Sequence, residues 1–484
     1  VTYTFRSFAF DTPPVKPLLR PLKLKQESSA RVYENFLSAG FGNYASPYAE
    51  VFINSAKKKN QLVGTHAYLN TSLRGPVDAA NSAGGNYGAS VYAQSYSKMF
   101  SLNGNAAFDR RTTHFYGYAP GTDVRARDIR QSISIFKLSG SIANARNADF
   151  AYKLTPVFSY LSDAYQARET EVDLTFDSYY KINETRRIGI KADYAIISRK
   201  DALVEASPRN LFQVNAAYQF TTAEVLKISA GATVAYENDT IDSKDVHIYP
   251  DVNARYPISP SVDVTAALTG GIEKVSLQTL TNENLWLAQN VGIFHTNKLY
   301  DLQVGLQARI GNKVSVNTGL ALASLKNWYF YKNDTADRAK FITDYADKGT
   351  ERTNLFASLS YMQTDFLKLM LRGDLYDYTR PGAAEAWHRP TYRLTANASY
   401  NLYKKLLFKL DFITQGGMRA YDNDTQSTVT IKPAADLNFR TEYIFSESFS
   451  AFVQLSNILN NQYQLYLHYP VRGFQLMAGI AWSF

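Results

Sequence analysis

The chain has no cysteine among its 484 residues. A disulfide framework and a thiolate metal site are therefore excluded, and the chain as given offers no Cys for an amino-terminal lipid. The absence of stray thiols also suits a protein that crosses an oxidising periplasm before it folds.

Long apolar runs are absent as well. No stretch of about 18 uninterrupted apolar residues occurs, so the sequence predicts no transmembrane helix. Tryptophan is scarce, with 4 Trp against 35 Tyr and 28 Phe, and the aromatic residues are dispersed along the chain. No turn-rich boundary divides the chain after about residue 35, although a soluble all-β chain of this length would split into several domains.

The first 35 residues differ from the rest and form a Pro-rich basic arm. Its prolines and basic residues alternate at Pro13, Pro14, Lys16, Pro17 and Arg20. Proline prevents a central strand or helix there and favours an extended, polyproline-like conformation. Two interpretations stay open: a disordered periplasmic tail, or an arm that lies in a barrel lumen or contacts a partner through its neighbouring Phe residues.

From residue 36 onward the sequence alternates between apolar and polar positions. One face of the segment 226–237 carries Leu226, Ile228, Ala230, Ala232, Val234 and Tyr236, and the other carries Lys227, Ser229, Gly231, Thr233, Ala235 and Glu237. The segments 314–322 and 406–412 repeat this pattern. Lipid on one side and water on the other explain both faces, so residues 36–484 are predicted to form a transmembrane β-barrel.

The last strand shows the same alternation and ends on an aromatic residue. Its apolar face includes Phe474, Ile480, Trp482 and Phe484. A continuous apolar face that ends at a carboxy-terminal Phe is typical of the closing strand of an outer-membrane barrel. We therefore assign these four residues to barrel closure and the assembly signal, and we expect this strand to pair with the strand near Leu37.

The number of such segments predicts an all-β, antiparallel transmembrane barrel of about 22 strands. They start near Leu37, Ala49, Thr65, Ala89, Asn103, Ile133, Tyr152, Glu171, Ile188, Leu211, Ile228, His247, Val264, Leu302, Val314, Phe356, Leu369, Tyr392, Phe408, Ala434, Phe452 and Phe474. The connections after even-numbered strands are short, and many after odd-numbered strands are long. This asymmetry predicts short periplasmic turns and long extracellular loops in the cell outer membrane.

The end of the chain resembles a known family. Two segments and the terminal strand are similar to the closing hairpin of TonB-dependent receptors. The segments are Leu455-Ser456-Asn457-Ile458-Leu459-Asn460-Asn461-Gln462-Tyr463 and Tyr469-Pro470-Val471-Arg472-Gly473. The specific match covers about the last 35 residues. The resemblance implies a barrel of 22 strands, in agreement with the segments counted above. The Tyr-rich composition and the segment Phe41 to Tyr44 also resemble outer-membrane proteins of the Bacteroidota.

One part of the family pattern is missing. TonB-dependent receptors carry an amino-terminal plug domain inside the barrel, whereas about 35 residues precede the first predicted strand here. We expect that the plug was lost, was left out of this chain, or is replaced by the Pro-rich arm and inward-folded loops.

Candidate chemistry is sparse. The six histidines, at positions 66, 114, 247, 295, 388 and 468, show no metal-ligand spacing, and no nucleophile is coupled to a base. We expect no catalytic residue, no metal and no cofactor, and no enzymatic activity. The acidic tips Asn238–Thr240, Asn333–Thr335 and Asp422–Thr425 offer carboxylates for Ca²⁺, but Asn and Asp are preferred turn residues, and turn chemistry is favoured.

Possible contact residues lie in one long loop and one turn. The predicted loop 278–297 contains the apolar residues Leu285, Trp286 and Leu287. Trp286 is a candidate for a contact with the lumen or with a partner. The alternative is a surface loop with a local apolar cluster. The basic run at positions 57–59 lies on a predicted periplasmic turn, where lipid phosphates are the expected contact.

The net charge of +9 does not indicate nucleic acid, because the basic residues fall mostly at inward strand positions and turns. The expected partners are outer-membrane lipid and lipopolysaccharide, and other outer-membrane proteins or lipoproteins are possible partners. Two functions remain open: a passage or binding barrel for solutes, or a non-transporting subunit of an outer-membrane complex.

Overall fold

The computed structural model describes residues 34–484 except 59, 145–148, 223–224, 240–243, 347, 365 and 381–384. The predicted arm contacts Pro13, Pro14, Lys16, Pro17 and Arg20 lie outside the described residues. The basic run at 57–59 is described only in part, since a strand continues to position 58 and residue 59 lies outside.

Strands account for most of the described chain. In chain order they are β1 (Phe36–Gly42), β2 (Ser46–Lys58), β3 (Gln61–Ser72), β4 (Gly84–Tyr96), β5 (Phe100–His114), β6 (Arg130–Asn144), β7 (Phe150–Ser162), β8 (Arg168–Asn183), β9 (Arg186–Lys200), β10 (Ser207–Thr222), β11 (Leu226–Glu237), β12 (Val246–Ser259), β13 (Val262–Glu273), β14 (Thr296–Ile310), β15 (Val314–Lys326), β16 (Tyr329–Asn333), β17 (Phe341–Tyr345), β18 (Thr350–Gln363), β19 (Leu367–Thr379), β20 (Tyr392–Leu402), β21 (Leu406–Gly416), β22 (Arg419–Asp422), β23 (Ser427–Thr430), β24 (Ala434–Ile444), β25 (Phe449–Ser456) and β26 (Gln475–Ser483).

Twenty-two of these strands form one antiparallel sheet that closes on itself. Each strand pairs with the next along the chain, except that β15 pairs with β18 and β21 with β24. Closure comes from β1 and β26, in which Leu37 faces Trp482 across the ladder. Asn35 and Phe484 extend the seam, because each backbone N–H donates to the carbonyl of the other at 3.0 Å. The predicted strand number and the predicted closing pair are both confirmed.

The 22-strand sheet is called the wall of the barrel below, and its two faces differ as the sequence pattern predicts. On β11, Val234 and Tyr236 are 46% and 43% exposed on the outside, whereas Ala235 and Glu237 are buried inside. Successive side chains of a strand point to opposite faces, so this difference recurs along the sheet. The outward positions Ile480 and Trp482 of β26 are also exposed, as is Phe474 just before this strand. A closed sheet leaves no unpaired edge, and its apolar outer face suits the hydrocarbon of a membrane.

The two ends of the barrel are unequal. The connections between β4 and β5, β14 and β15, and β20 and β21 span the short turns 97–99, 311–313 and 403–405. At the other end, long loops span 115–129, 274–295, 327–349 and 457–474. The predicted asymmetry is confirmed, and we assign the long-loop end to the extracellular side, as is typical of such barrels.

The long loops contain structure that the sequence pattern did not predict. A helix, α1 (Leu277–Glu283), lies in the loop 274–295, and two small hairpins, β16–β17 and β22–β23, lie in the loops after β15 and β21. Two 3-10 turns, Ala79–Ser82 and Ala126–Asp128, lie in the loops after β3 and β5. In the part of the chain that the structure describes, no helix is long and apolar enough to cross a membrane.

The main buried core lies between these loops and the inner face of the wall. Ile133 and Ile135 of β6 and Leu161 of β7 point inward, and they pack against Leu277 and Leu280 of α1. The outward neighbours Phe136 and Leu138 are exposed, which fixes the direction of the inward residues. The loop core therefore lies inside the extracellular end of the barrel.

Candidate functional site

The candidate site is the group of loops 115–129, 274–295, 327–349 and 457–474, called the loop cluster below. Its buried core includes Tyr116, Leu287, Tyr331, Phe341 and Tyr469. Burial of these aromatic and aliphatic side chains holds together loops that are far apart in sequence. The cluster covers the inner wall near β6 and β7, so it sits on the path through the barrel.

Helix α1 is fixed to the wall through its first turn. Ser276 caps the helix: its hydroxyl accepts from the N–H of Thr279, and the Thr279 side chain accepts from the N–H of Ser276. The carboxylate of Glu169, on the inner face of β8, accepts from the N–H groups of Leu277 and Gln278 at 2.7 and 3.0 Å. A carboxylate at the first N–H groups of a helix is a favourable partner for these otherwise unpaired donors. The available sequence signal for this helix was Ser276, a residue type preferred at helix N-caps.

Trp286, the predicted contact residue, lies at the centre of the aromatic core. Its ring lies 4.0 Å from the ring of Tyr469 and 5.8 Å from the ring of Tyr116, measured between centroids. Its Nε1–H donates to the carbonyl of His114 at 3.0 Å and to Oγ1 of Thr113 at 3.2 Å. Trp286 thus joins the loops 115–129 and 457–474 to its own loop. Its contact with a partner stays a prediction.

Polar groups at the base of the β16–β17 hairpin surround a second set of rings. The carboxylate of Glu283 accepts from the hydroxyls of Tyr329 and Tyr331 at 2.7 and 3.2 Å. The guanidinium of Arg389 lies 3.6 Å from the same carboxylate and 4.9 Å from the centroid of the Trp328 ring. A cation over an aromatic face and beside a carboxylate is doubly stabilised. The run Tyr329–Tyr331 was a sequence signal for this hairpin, because three adjacent aromatic residues favour a strand.

His388 connects three loops. Its Nδ1–H donates to the carbonyl of Tyr331 at 2.8 Å, and its Nε2 accepts from the N–H of Leu467 at 3.2 Å. These two partners fix a neutral imidazole with the proton on Nδ1. Burial lowers the pKa of His388 to about 4. The ring is therefore a structural link between the loop 380–391 and the loop cluster.

A buried ion pair lies where β10, the loop after β11 and the loop 274–295 meet. The guanidinium of Arg209 contacts both carboxylate oxygens of Asp239 at 2.6 and 2.7 Å, and the N–H of His295 donates to Asp239 at 2.6 Å. Burial alone would raise the pKa of the Asp239 carboxyl, but Arg209 and His295 hold it below its usual value. Burial and Arg209 lower the pKa of His295 to about 4. The tip Asn238–Thr240 was predicted to offer a carboxylate for Ca²⁺ or to form a turn, and the Asp239 carboxylate is instead buried and paired with Arg209. Its neighbour Thr240 lies outside the described residues.

The other two acidic tips form turns. The carboxylate of Asp334 accepts from the N–H of Ala336, and that of Asp422 accepts from the N–H of Asp424, both at 3.1 Å. These bonds are the side-chain turns expected of Asp. Ligand atoms of Asp422, Asp424 and His468 do lie within 4.8 Å of one another.

A guanidinium already lies among those three groups. Arg338 donates to the Asp424 carboxylate, and its Nη2 lies 2.8 Å from Nδ1 of His468. The charge of the acidic groups is thus balanced by an arginine. We assign this cluster to the packing of the β22–β23 hairpin.

The histidines are less isolated than their sequence spacing indicates. Oxygen atoms of Glu50, Glu237 and Asp422 lie 3.0, 3.6 and 3.7 Å from ring nitrogens of His66, His247 and His468. The partners come from neighbouring strands or from other loops. No spacing rule within one segment detects such pairs.

Known proteins resemble this chain in structure but not in sequence. No protein-family model matches the chain, and no curated protein matches its sequence. Solved structures do match. The FrpB iron transporter from Neisseria meningitidis superposes with a TM-score of 0.72 at 8% identity over 94% of this chain and 82% of that one. The siderophore receptor PirA from Acinetobacter baumannii gives 0.71 at 9% identity over 94% and 81%.

A third structure, the ferric-catecholate import receptor Fiu from E. coli K12 in its closed form, superposes with a TM-score of 0.69 at 8% identity, over 94% of this chain and 82% of that one. Identities this low establish the fold alone. Together with the closed 22-strand sheet and its apolar outer face, they show that this chain has the 22-strand β-barrel fold of these outer-membrane receptors.

Proposed function

We propose that the protein provides a passage or binding barrel for solutes across the outer membrane, in which the loop cluster controls access from outside. The observation that carries this proposal is the contrast between the wall and its contents. The wall is closed by backbone hydrogen bonds, whereas the loop cluster is attached to it mainly by side chains. A part attached in this way can move without opening the barrel.

The inner face of the wall is polar below the cluster. On β14, the inward residues are Asp301, Gln303, Gln307 and Arg309, while Leu302, Val304 and Leu306 face outward and are exposed. A barrel whose only role was structural would be more stable with an apolar, fully packed interior. A wall lined by charged and amide groups is what a wide aqueous barrel needs.

Most polar attachments of the cluster to the wall are bonds of single side chains, and they include the ion pairs of Lys274 with Glu171 and Asp173 of β8. Besides the Glu169 contacts with α1, Oγ of Ser159 donates to Oε1 of Gln278 at 3.2 Å, and Arg199 donates to the carbonyl of Val291 at 2.6 Å. A single hydrogen bond contributes about 1 kcal/mol, and one with a charged group about 1.5 to 3 kcal/mol. Breaking one such attachment therefore costs little compared with separating two paired strands of the sheet.

The outer face of the barrel determines which molecules surround the protein in the membrane. Its exposed side chains are apolar and aromatic, so we propose that outer-membrane lipid covers them and that lipopolysaccharide contacts the extracellular half. Inside, the arginines 199, 209 and 372 pair with carboxylates at 2.6 to 2.7 Å. Paired, inward cations offer no face to nucleic acid, and we propose no such partner. We also propose no enzymatic role, because His388 uses both ring nitrogens to hold loops together.

Tethering the cluster to the wall tests this proposal. Since the chain has no Cys, Ser159→Cys combined with Gln278→Cys gives one addressable pair between β7 and α1. The folded variant is placed in planar bilayers and treated with a short, reducible thiol cross-linker. We expect conductance fluctuations before cross-linking, their loss afterwards, and recovery on reduction. A matched control, Gln307→Cys with Asn317→Cys, links two facing inward positions of β14 and β15 that are already joined in the wall and leaves conductance unchanged.

The same preparation tests the second function. If no variant conducts and stoichiometric partners co-purify from the native membrane, the protein is a non-transporting subunit of a complex, and the passage is refuted. If the protein purifies alone and conducts, the subunit interpretation fails.

A further inference from the structure

A cavity of about 370 Å³ lies against the inner wall at the seam where β26 meets β1. It is at the extracellular end, since its lining includes the last residues of β3 and the first of β26. Side chains that line it include Asn70, Ser72, Arg440, Gln454, Arg472 and Gln475. Among the described residues that line it there is no Asp or Glu. The cavity is therefore polar and carries positive charge.

Arg472 is the unusual member of this lining. Its guanidinium donates to Oγ of Ser72, and in the described part of the chain no carboxylate lies within ion-pair distance of it. Burial lowers the pKa of Arg472, and the ionisable groups that act against this effect are the phenols of Tyr116 and Tyr44. A half-buried guanidinium without an anionic partner is costly for the folded state.

Three other inward arginines, Arg199, Arg209 and Arg372, have the carboxylate partner that Arg472 lacks. Asp201, Asp239 and Asp374 pair with their arginines through carboxylate oxygens at 2.7, 2.6 and 2.7 Å. These three buried guanidinium groups are thus neutralised by close carboxylates. Arg472 departs from that pattern in a place where there is also open space.

Arg440 adds a second cation to the same cavity. Its guanidinium carbon lies 4.1 Å from the centroid of the Phe452 ring, which fixes the side chain. Its contacts with the carboxylate of Glu442 and the amide oxygen of Gln454 are long, both 3.5 Å. The nearby carboxylate of Glu50 accepts from Tyr48 at 2.8 Å and is not part of the lining. Hydrogen-bond donors of both arginines remain for a ligand.

We propose that this cavity binds an anionic solute of small-molecule size, whose carboxylate or phosphate group pairs with Arg472 and Arg440. The amides of Asn70, Gln454 and Gln475 provide neutral partners for hydroxyl groups of the same solute. The volume is within the range of small-molecule sites. Binding at this site requires no conduction, so the inference stands apart from the proposed passage.

Equilibrium dialysis of the folded full chain in detergent tests the site. The probes are glucuronate, its neutral analogue glucose, and inorganic phosphate. We expect glucuronate or phosphate to bind at one site and glucose to bind at least about tenfold more weakly, because the neutral sugar cannot pair with a guanidinium. Binding of phosphate without glucuronate identifies a phosphate-bearing ligand, and the reverse a carboxylate-bearing one.

Variants assign the binding to this cavity. Arg472→Gln and Arg440→Gln are expected to weaken binding of the anion about tenfold each, while Arg472→Lys keeps most of it. Arg309→Gln is the matched control, since Arg309 is an exposed inward arginine on β14, away from the seam. Heat-modifiable electrophoretic mobility verifies that each variant is folded.

Equal binding of glucuronate and glucose, or wild-type affinity in a folded Arg472→Gln variant, overturns the inference. A protein that binds the anion but never conducts refutes the passage and leaves this site standing. A protein that conducts but binds neither anion refutes this site and leaves the passage standing.

Discussion

The wall and the loop cluster are held together by different physics. In the wall, every strand is paired on both sides, and its outer face offers large apolar side chains to lipid. In the loop cluster, short elements are joined by buried rings and by a few polar bonds from loop to loop. The wall resembles a membrane protein in its energetics, and the cluster resembles the core of a small soluble protein.

This difference separates two kinds of failure. A change on the lipid face acts on insertion and on the folded barrel, because no water is present there to solvate a charge. A change in the loop cluster acts on local opening, because the strands remain paired when the loops move. Variants in the two regions therefore have distinct signatures.

The largest effect is expected on the lipid face. Val304 lies near the middle of β14 and is 48% exposed on the outside, so Val304→Arg places a cation in the hydrocarbon. We expect a loss of about 3 kcal/mol in the free energy of unfolding. Urea titration of the barrel in lipid vesicles, followed by heat-modifiable mobility, measures it.

The matched control is one residue away. Gln303 points inward, and Gln303→Arg places the same charge in the lumen, where water solvates it. We expect this variant to unfold as the wild type does. Equal destabilisation by the two substitutions would contradict the assigned faces of β14.

The second effect is expected in the loop cluster. Trp286→Ala removes the ring that contacts Tyr116, Tyr466 and Tyr469. Because Trp286 is half-buried, we expect a loss of about 2 kcal/mol in the stability of the cluster, below the value for a fully buried Trp. Limited proteolysis should cut the long loops faster while the heat-modifiable mobility of the barrel is unchanged.

Trp482→Ala is the matched control for Trp286. Its ring is outside the barrel on β26, stacked on Phe484 at 4.3 Å. We expect slower barrel assembly and unchanged loop proteolysis, the reverse signature. If Trp286→Ala impairs assembly as much as Trp482→Ala does, the two regions are not independent.

The sequence predicted the wall far better than the cluster. Alternation with a period of two is a local signal, and each of the 22 predicted starts falls within or beside a barrel strand, from Leu37 in β1 to Phe474 next to β26. The pairing is local too, since neighbours in the sheet are neighbours along the chain.

The cluster depends on contacts between distant positions. Trp286 meets Thr113 and Tyr469, and His388 meets Tyr331 and Leu467. The sequence singled out Trp286 as apolar in a long loop, but it offered no way to choose among the lumen, a partner and the surface. For the same reason it missed the ion pair between Arg209 and Asp239, which are 30 positions apart.

A third prediction uses pH to act on the cluster alone. Burial lowers the pKa of His388 to about 4 in the folded state, so the unfolded state binds the proton first as pH falls. The stability that the neutral His388 contributes is therefore fully present above the ordinary pKa of about 6.5 and is lost as pH falls toward 4; at pH 5.5 we expect a loss of about 1.4 kcal/mol. Tryptophan fluorescence during urea titration at several pH values follows it.

His388→Gln keeps a hydrogen-bonding side chain and removes this titration. The pH dependence between 6.5 and 4 should become shallower in the variant and retain the parts due to His295 and His468, whose pKa values burial also lowers. An unchanged slope would show that His388 is not held neutral by the folded loops.

The smallest effect is expected at the rim of the cluster. Arg125 and Asp128 form an ion pair at 2.8 Å on the loop 115–129, and their side chains are 66% and 46% exposed. Water solvates both charges when the pair is broken, so Arg125→Ala should change the unfolding free energy of the cluster by less than about 0.5 kcal/mol. Proteolysis and conductance of this variant are compared with those of Trp286→Ala, which alters the same set of loops from within. A large effect of Arg125→Ala would mean that the exposed rim also takes part in controlling access. The movable part of the loops would then extend beyond the buried rings.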